Sequence, residues 1–265
     1  MRLLLRLLLA LVTLVLLTWG AVYAASFRPR TPPEACGPGL RVMSANLLMV
    51  NPDPTALAQE IRDVDADLLL LQELSPRWVD ALDAAGVWAR WPHGAAVSRT
   101  DSFGSALRAK VRPVDSGTFD LDGLTETRMK VSIGTGALEI WNIHVLPPRT
   151  LDYWRAWRFE TDLLVDAARE QTDPFMMGGD FNASSLSAFV RHMHGVLDDA
   201  WELAGRGPGH TWPNGVFFLP PLRLDHLYLS RDLTVTQIRV GTGAHSDHRP
   251  LIAEIAPRAG GRLCP

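Results

Sequence analysis

Short apolar runs that end in a polar side chain recur along this chain, and they limit its fold more than any other feature. The clearest are Leu40–Asn46, Asp67–Glu73, Leu138–His144 and Phe175–Asp180. Runs of this length are typical of buried strands, whereas helices usually need ten residues or more. Between them lie longer segments such as Leu151–Glu170, with apolar side chains broadly on one side and charged ones on the other. The pattern predicts an α/β or α+β domain.

Other segments complete this domain. Further predicted helices are Pro54–Val64, Ser75–Ala85 and a segment from Ser184 or Ser185 to about His194; further predicted strands are several short ones within 95–145, then Leu224–Ser230 and Leu251–Ala256. Residues 28–39 are rich in Pro and Gly and are interpreted as a linker. One domain is therefore expected over 38–258, followed by a short tail, 259–265.

Residues 1–27 form a separate N-terminal segment. Arg2 and Arg6 precede an uncharged run from Leu7 to Phe27, and about 20 apolar residues suffice to span a bilayer. The small-residue pattern Val22–Ala24 also fits the cleavage site of a signal peptide. A buried core helix is a weaker alternative because the run has no polar face. We predict a membrane anchor or a signal peptide, and the length of the run favours the anchor.

The two cysteines bear on the compartment. Cys36 precedes the first predicted strand and Cys264 follows the last one. A disulfide between them would join the two ends of the domain, which requires an oxidising compartment. The alternative is two free surface thiols. The expected location is a membrane-anchored domain outside the cytoplasm, or a secreted protein.

The charge balance bears on nucleic acid as a partner. The chain has 26 basic and 29 acidic residues and a formal net charge of −3. Proteins that grip duplex DNA through many phosphates usually have a basic surface. The balance therefore argues against a strong nonspecific DNA binder, but a nuclease with a local basic patch remains open.

Polar residues collect at the ends of the predicted strands, where neighbouring strands would bring them to one rim of a sheet. They are Asn46, Glu73, Asn142, His144, Asp180, Asn182, Asp225, Asp247 and His248. Carboxylate and amide oxygens suit a hard cation such as Mg²⁺, and histidines suit proton transfer. A structural zinc site is not expected because the set contains no cysteine. Each residue alone could be a cap or turn, but their number indicates a functional site.

The motifs that hold these residues resemble, in order, those of the endonuclease/exonuclease/phosphatase superfamily. They are Asn46 after the first strand, Leu-Gln-Glu73, Asn-Ile-His144, Gly-Asp180-Phe-Asn182, Leu-Asp225-His and Ser246-Asp247-His248-Arg-Pro. The resemblance spans nearly the whole domain. It implies a DNase I-like, four-layer sandwich in which helices flank two packed, mainly antiparallel β-sheets.

The resemblance also implies a metal site and a proton-transfer group. Glu73 is expected to be the main ligand of Mg²⁺, with Mn²⁺ or Ca²⁺ as alternatives, and Asn46 and Asp247 are further ligand candidates. His248 is expected to act as a general base or to bind phosphate, with Asp225 orienting its ring.

Other residues are expected to hold the substrate and protonate its leaving group. The family pattern implies that Asp180 and Asn182 position the attacking water and the scissile phosphate, and that His144 protonates the leaving oxygen. Asn142 and Arg128 are expected, with Asn182, to contact the substrate. No partner acid for His144 is evident in the sequence.

Three functions remain open at this point. The first is a metal-dependent phosphoric ester hydrolase that cleaves a phosphomonoester, phosphodiester or pyrophosphate outside the cytoplasm, on a lipid-linked substrate if the apolar segment Val216–Pro221 is exposed beside the site. In that case Phe217, Phe218 and Leu219 would form an apolar lip over the site. The second is an extracellular nuclease, and the third is a silent binding module.

A monomer is expected. The additional histidines, His210, His226 and His245, are interpreted as residues that support or surround the site.

Overall fold

The computed structural model describes residues 2–26, 31–216 and 219–264. The strands are β1 (Leu40–Asn46), β2 (Leu68–Gln72), β3 (His93–Val97), β4 (Ser105–Ala109), β5 (Asp115–Leu121), β6 (Leu124–Ile133), β7 (Gly136–His144), β8 (Phe175–Asp180), β9 (Asp198–Asp199), β10 (Asp225–Leu229), β11 (Leu233–Val240) and β12 (Leu251–Pro257). The helices are α1 (Arg2–Ser26), α2 (Pro54–Val64), α3 (Pro76–Ala84), α4 (Val87–Arg90), α5 (Leu151–Glu170), α6 (Ala188–Met193) and α7 (Ala200–Ala204).

The strands form two six-stranded sheets. The first has the order β11-β12-β1-β2-β4-β3 and the second the order β5-β6-β7-β8-β10-β9. Only the β1–β2 and β7–β8 pairs are parallel in these sheets. The facing sides of the sheets share one apolar core that includes Val42, Leu70 and Met129. The predicted sandwich of two mainly antiparallel sheets is therefore confirmed.

Helices cover the outer faces of the two sheets because each presents an apolar stripe. Leu57 of α2 and Trp78 of α3 are buried in a second apolar cluster on the first sheet. Trp157 and Leu164 of α5 are buried in a third cluster on the second sheet. These helices begin with side-chain caps such as Thr150, which accepts a hydrogen bond from Tyr153 N.

The topology brings the polar strand ends together. Parallel neighbours end at the same edge, so Asn46 and Gln72 are paired in register, as are His144 and Asp180. β10 runs antiparallel to β8 and therefore begins at this edge, with Asp225 opposite Asp180. One edge of the sandwich thus carries most of the predicted site.

Some predicted elements have the predicted bounds in the structure, most others differ by one or two residues, and a few elements were not predicted. β1, α2, α5 and β8 begin and end where predicted. α6 begins later than predicted, after Ser187, whose side chain accepts a hydrogen bond from Val190 N. β11 was not predicted, because Thr234, Thr236, Gln237 and Arg239 leave it without a long apolar run.

The N-terminal helix α1 has exposed leucines along its described length, among them Leu7, Leu11 and Leu14. Within the part of the chain that is described, no helix combines the length and apolarity needed to cross a membrane. Phe27 to Arg30 of the predicted segment and linker lie outside the described residues. The anchor or signal peptide and the domain boundaries therefore remain predictions.

The two ends of the domain are joined by a disulfide between Cys36 and Cys264, with their Cα atoms 5.9 Å apart. The predicted pairing is confirmed. Backbone hydrogen bonds accompany it, from Cys36 N to Pro257 O at 3.0 Å and from Ala259 N to Glu34 O at 2.8 Å. The last residues of the predicted linker therefore dock beside β12.

We expect loss of this disulfide to destabilise the domain strongly. Its cysteines are 228 residues apart in sequence. Because closing a long loop restricts the unfolded chain, the bond contributes up to about 4–5 kcal/mol on a chain-entropy model and often less in practice. Urea unfolding of Cys36→Ser/Cys264→Ser should show a loss of ~2–4 kcal/mol relative to the oxidised protein. Equal midpoints and slopes for the two proteins would contradict the prediction.

Candidate active site

Asp180, the last residue of β8, lies at the centre of the site. Its Oδ2 is 3.0 Å from Asn46 Nδ2, 3.5 Å from His248 Nε2 and 3.7 Å from His144 Nε2. Its Oδ1 accepts a hydrogen bond from Asn182 N at 2.9 Å. Strand ends from both sheets therefore converge on one buried carboxylate.

His248 and Asp225 form a hydrogen-bonded pair beside Asp180. His248 Nδ1 lies 2.9 Å from Asp225 Oδ2, so its Nε2 faces Asp180. Burial lowers the pKa of His248, but the charges of Asp225 and Asp180 outweigh burial and raise the pKa to about 10. Ser246 places this histidine, because its Oγ donates to Asn46 O and accepts from His248 N.

Glu73 and Asn46 form the oxygen-rich side of the site. Asn46 Nδ2 donates to Glu73 Oε1 at 3.1 Å as well as to Asp180, so two carboxylates share one amide. Met49 N donates to Glu73 Oε2 at 2.8 Å. The two carboxylates repel each other, and no Lys or Arg forms an ion pair with either within the described residues. This arrangement suits a divalent cation.

Asp180, Asp225 and His248 are a second set of potential metal ligands, because their ligand atoms lie within 4.8 Å of one another. A cation bound between Asp225 and His248 would replace their hydrogen bond. The carboxylates of Glu73 and Asp180 are a better match for a hard cation, which prefers oxygen ligands. Asn46 turns its Nδ2 toward them while its Oδ1 accepts from Leu48 N, so it could be a ligand only after its amide rotates.

Two site residues adopt the left-handed backbone conformation, which is uncommon for residues other than glycine. Glu73 has a φ of 59° and Asn182 a φ of 46°. Strained positions of this kind concentrate at functional sites. Gly179, the residue before Asp180, has a φ of 142°, and a side chain there would collide with the carbonyl oxygen of Ile143. The Gly-Gly-Asp180 sequence therefore allows β8 to approach β7 closely.

His144 is the second histidine that faces Asp180, with its Nε2 3.7 Å from Asp180 Oδ2. It is buried, and Phe103 packs against it with ring centroids 5.6 Å apart. Its backbone N donates to Glu126 Oε1 at 2.7 Å. Within the described residues, neither His144 Nδ1 nor Glu126 Oε2 has a hydrogen-bond partner.

Glu126 was missed by the sequence predictions. Strand alternation places it on the same face of β6 as Arg128 and Lys130, so the sequence indicates a solvent-facing residue. Glu126 is nevertheless buried, and burial, together with the charge of Glu160 on α5, raises its pKa to about 8. No sequence signal marks this residue, because its burial depends on packing with residues that are distant in sequence.

We expect Glu126 to make stability depend on pH. The unfolded chain releases this proton near pH 4.5, whereas the folded chain keeps it up to about pH 8. The folded state then binds more protons, so the unfolding free energy should fall as pH rises through this window. In urea unfolding at several pH values, Glu126→Gln should flatten this fall, and Glu170→Gln at the exposed end of α5 should not. Parallel pH curves for wild type and Glu126→Gln would contradict the prediction.

The structure places two predicted residues, Asn142 and Arg128, away from the opening. Asn142 is fully buried between the sheets, where its amide bonds Gln72, Ser105 and backbone carbonyls and does not reach the opening. Arg128 lies on the outer face of the second sheet, 2.8 Å from Asp115. Asp247 accepts a hydrogen bond from Trp212 at 3.3 Å, and its charge helps to raise the pKa of His248, so it lies near the site and its role as a ligand remains a prediction.

Behind the site lies a buried charged network that includes one of the additional histidines. His226 Nε2 is 2.9 Å from Ala183 O, next to Asn182, and its Nδ1 is 3.1 Å from Asp199 Oδ2. Arg223 Nη1 donates to both oxygens of Asp199. His226 therefore supports the loop that carries Asn182. The Leu-Asp225-His motif contained this residue, but its partner Asp199 could not be found from spacing.

The apolar segment before Asp225 is described only in part. Phe217 and Phe218 lie outside the described residues, and Leu219 is exposed. The predicted lip is therefore neither supported nor contradicted.

Solved structures of several proteins have this fold. The truncated TDP2 of Caenorhabditis elegans is 20% identical over 82% of this chain and 97% of that chain, with a TM-score of 0.67. An endonuclease/exonuclease/phosphatase from Bacteroides vulgatus is 18% identical over 84% and 100%, with a TM-score of 0.66. The D. rerio TDP2 complexed with single-strand DNA product is 17% identical over 82% and 98%, with a TM-score of 0.64. No curated protein sequence matches the chain.

The two packed sheets with this strand order define a protein of the DNase I-like class. The model of the Endonuclease/Exonuclease/phosphatase family matches residues 43–248. The chain belongs to this family. Its members hydrolyse phosphoester bonds and typically depend on divalent metal ions.

Proposed function

We propose that this protein is a Mg²⁺-dependent phosphoric ester hydrolase that acts outside the cytoplasm. The observation that supports this most is the convergence on Asp180 Oδ2 of His248 Nε2, His144 Nε2 and the Asn46 amide that also binds Glu73. Glu73 and Asp180 would hold the cation, and Asn46 would join them if its amide rotated to present Oδ1. When bound, it would stabilise negative charge that develops on the phosphoryl oxygens.

Side chains of the site would transfer the protons and position the water and the phosphate. Asp225 occupies Nδ1 of His248, so Nε2 is the atom that faces the reaction. With the proton that its raised pKa retains, Nε2 would hold a phosphoryl oxygen; without that proton, it would take one from the attacking water. Asp180 and Asn182 orient that water and the phosphate. His144 Nε2 faces Asp180 and would donate a proton to the leaving oxygen.

The proposed location rests on the disulfide between Cys36 and Cys264, because such bonds persist mainly in oxidising compartments. The predicted N-terminal anchor or signal peptide is consistent with it. Mass spectrometry of non-reduced peptides from protein taken from its native compartment tests this location. Two freely alkylatable thiols would overturn it.

A lipid-linked phosphate is the proposed substrate class, because exposed apolar side chains lie in the segments that adjoin the strand ends at the edge carrying Asp180. Leu151 and Trp154 begin the helix that follows β7, Leu186 follows β8, and Val50 follows β1. Leu219 precedes β10 and is also exposed. These loops all lie at the edge that carries Asp180. An acyl or isoprenoid chain could lie across them while its phosphate reaches the site.

A matched pair of double variants tests the substrate class. Trp154→Ser/Leu186→Ser removes apolar surface at the opening, whereas Phe159→Ser/Leu163→Ser removes it farther along α5. If ~100 Å² of lipid chain is buried, the contribution is ~2.5 kcal/mol, or well over tenfold in affinity. The first variant should raise KM for a polyprenyl pyrophosphate and leave a small chromogenic phosphodiester unaffected, and the second should change neither. Equal losses on both substrates would reject the lipid proposal.

A nuclease is the second candidate, because the similar D. rerio TDP2 was solved with a single-strand DNA product. Efficient cleavage of plasmid or single-stranded DNA, with no turnover of polyprenyl pyrophosphate or sphingomyelin, would favour it. Absence of metal-dependent hydrolysis of every substrate would favour a binding module.

A further inference from the structure

A large cavity among the described residues lies outside the catalytic cluster. It has a volume of about 760 Å³ and runs between β11 and the loop that follows α7. Four basic residues line it, namely Arg206, His210, Arg239 and Arg249, and no aspartate or glutamate does. We call these four residues and the cavity they line the cationic groove.

The arginines of the cationic groove lack counter-charges. Arg206, Arg239 and Arg249 form no ion pair within the described residues, whereas Arg41, Arg128 and other arginines of the domain do. Arg249 uses its Nε to donate to Gly241 O at 3.0 Å, which leaves its other guanidinium donors for a ligand. Unpaired cations around one cavity create a positive potential that attracts an anion.

His210 and Arg249 lie close enough together for their charges to interact. Burial lowers the pKa of His210, and the charge of Arg249 lowers it further. An anion between them would offset this repulsion. Arginine donors match the oxygens of phosphate in pairs, which lysine and neutral groups do not achieve.

The groove shares a wall with the candidate active site. Arg249 follows His248 in sequence, and its backbone N donates to Thr211 O at 2.8 Å. The hydroxyl of Thr211 accepts hydrogen bonds from Leu224 N and Asp225 N. A ligand in the groove would therefore lie behind the segment that positions the His248–Asp225 pair.

We propose that the cationic groove is a second phosphate-binding site, separate from the phosphate that would be hydrolysed. Its ligand is a multiply charged phosphate group such as a pyrophosphate, either free or as a lipid headgroup. The proposal does not depend on hydrolysis, because none of the four residues belongs to the catalytic cluster.

Binding of pyrophosphate to the full chain tests this site. The titration is done in EDTA, so that no cation draws the anion to Glu73 and Asp180, and it is followed by calorimetry and by the NMR signal of the His210 ring. We expect saturable binding that moves this signal. Arg206→Ala/Arg239→Ala should weaken binding at least tenfold. Arg112→Ala/Arg231→Ala, which removes the same charge from exposed arginines elsewhere, should bind as wild type does.

Two further measurements distinguish the groove from the catalytic cluster and a lipid headgroup from a free phosphate. Glu73→Ala should retain pyrophosphate binding. A soluble short-chain phosphatidic acid, used below its micelle concentration, identifies the source: tighter binding than pyrophosphate indicates a lipid headgroup, and weaker binding a free phosphate. The proposal is overturned if nothing binds saturably, if both arginine pairs weaken binding equally, or if only His248→Ala abolishes it.

Discussion

Glu73→Gln is expected to reduce kcat/KM by about a thousandfold, which corresponds to about 4 kcal/mol of lost transition-state stabilisation. Glu73 ends the Leu-Gln-Glu segment after β2, and its carboxylate shares the Asn46 amide with Asp180. Glutamine keeps the shape of the side chain and one oxygen that accepts the bond from Asn46 Nδ2 or from Met49 N, but it removes the negative charge that a divalent cation needs. The protein should therefore fold as before and bind the cation poorly.

The measurement for this variant needs three readouts. Hydrolysis of a chromogenic phosphodiester gives the rate, calorimetry gives the affinity for Mg²⁺, and thermal unfolding shows whether the fold survives. Glu254→Gln is the matched control, because it removes a glutamate charge that pairs with Arg41 on the protein surface. Full activity of Glu73→Gln, or an equal loss in both variants, would reject the assigned role.

His248→Ala and Asp225→Ala are expected to lower activity by about 100- to 1000-fold each, the usual range for proton transfer by a positioned side chain. The two side chains are 2.9 Å apart, and both are buried. Asp225 acts by orienting His248 and holding its proton. Once the histidine is gone, the aspartate has little left to contribute, so the double variant should be no worse than His248→Ala.

Rates for the four proteins of this cycle, with stability measured in parallel, test the coupling. His192→Ala on the exposed side of α6 is the control for loss of a histidine and should have no effect. If the loss in the double variant equals the product of the two single losses, the residues act independently and the proposed pair is wrong.

The strands that carry the site were predictable because their signals are local. Leu40–Asn46 and Phe175–Asp180 are apolar runs that end in a polar residue, and the structure has β1 and β8 with these bounds. Their parallel neighbours end at the same edge, so Glu73 follows β2 beside Asn46 and His144 pairs with Asp180. The motif order then sufficed to indicate the family.

Residues whose environment depends on packing were not predictable in this way. Glu126 and Arg128 lie two residues apart on the same face of β6, yet the first is buried, whereas the second pairs with Asp115 at the surface. Asn142 has the spacing of a site residue, but the facing sheet encloses it. Strand alternation predicts which face of the sheet a residue occupies. It does not predict which segments of the chain pack against that face, and those segments decide whether the residue is buried.

The sequence by itself determined the fold class, the edge at which the site forms and the identity of its central groups. These features depend on strand lengths, strand ends and short motifs, and each of those is set by residues that are neighbours in sequence. The tertiary structure alone decided which nitrogens reach Asp180 Oδ2, how His226 and Asp199 support the adjoining loop, and that three arginines from separate segments line one groove. These are contacts between residues far apart in sequence, and their distances are set only when the two sheets pack.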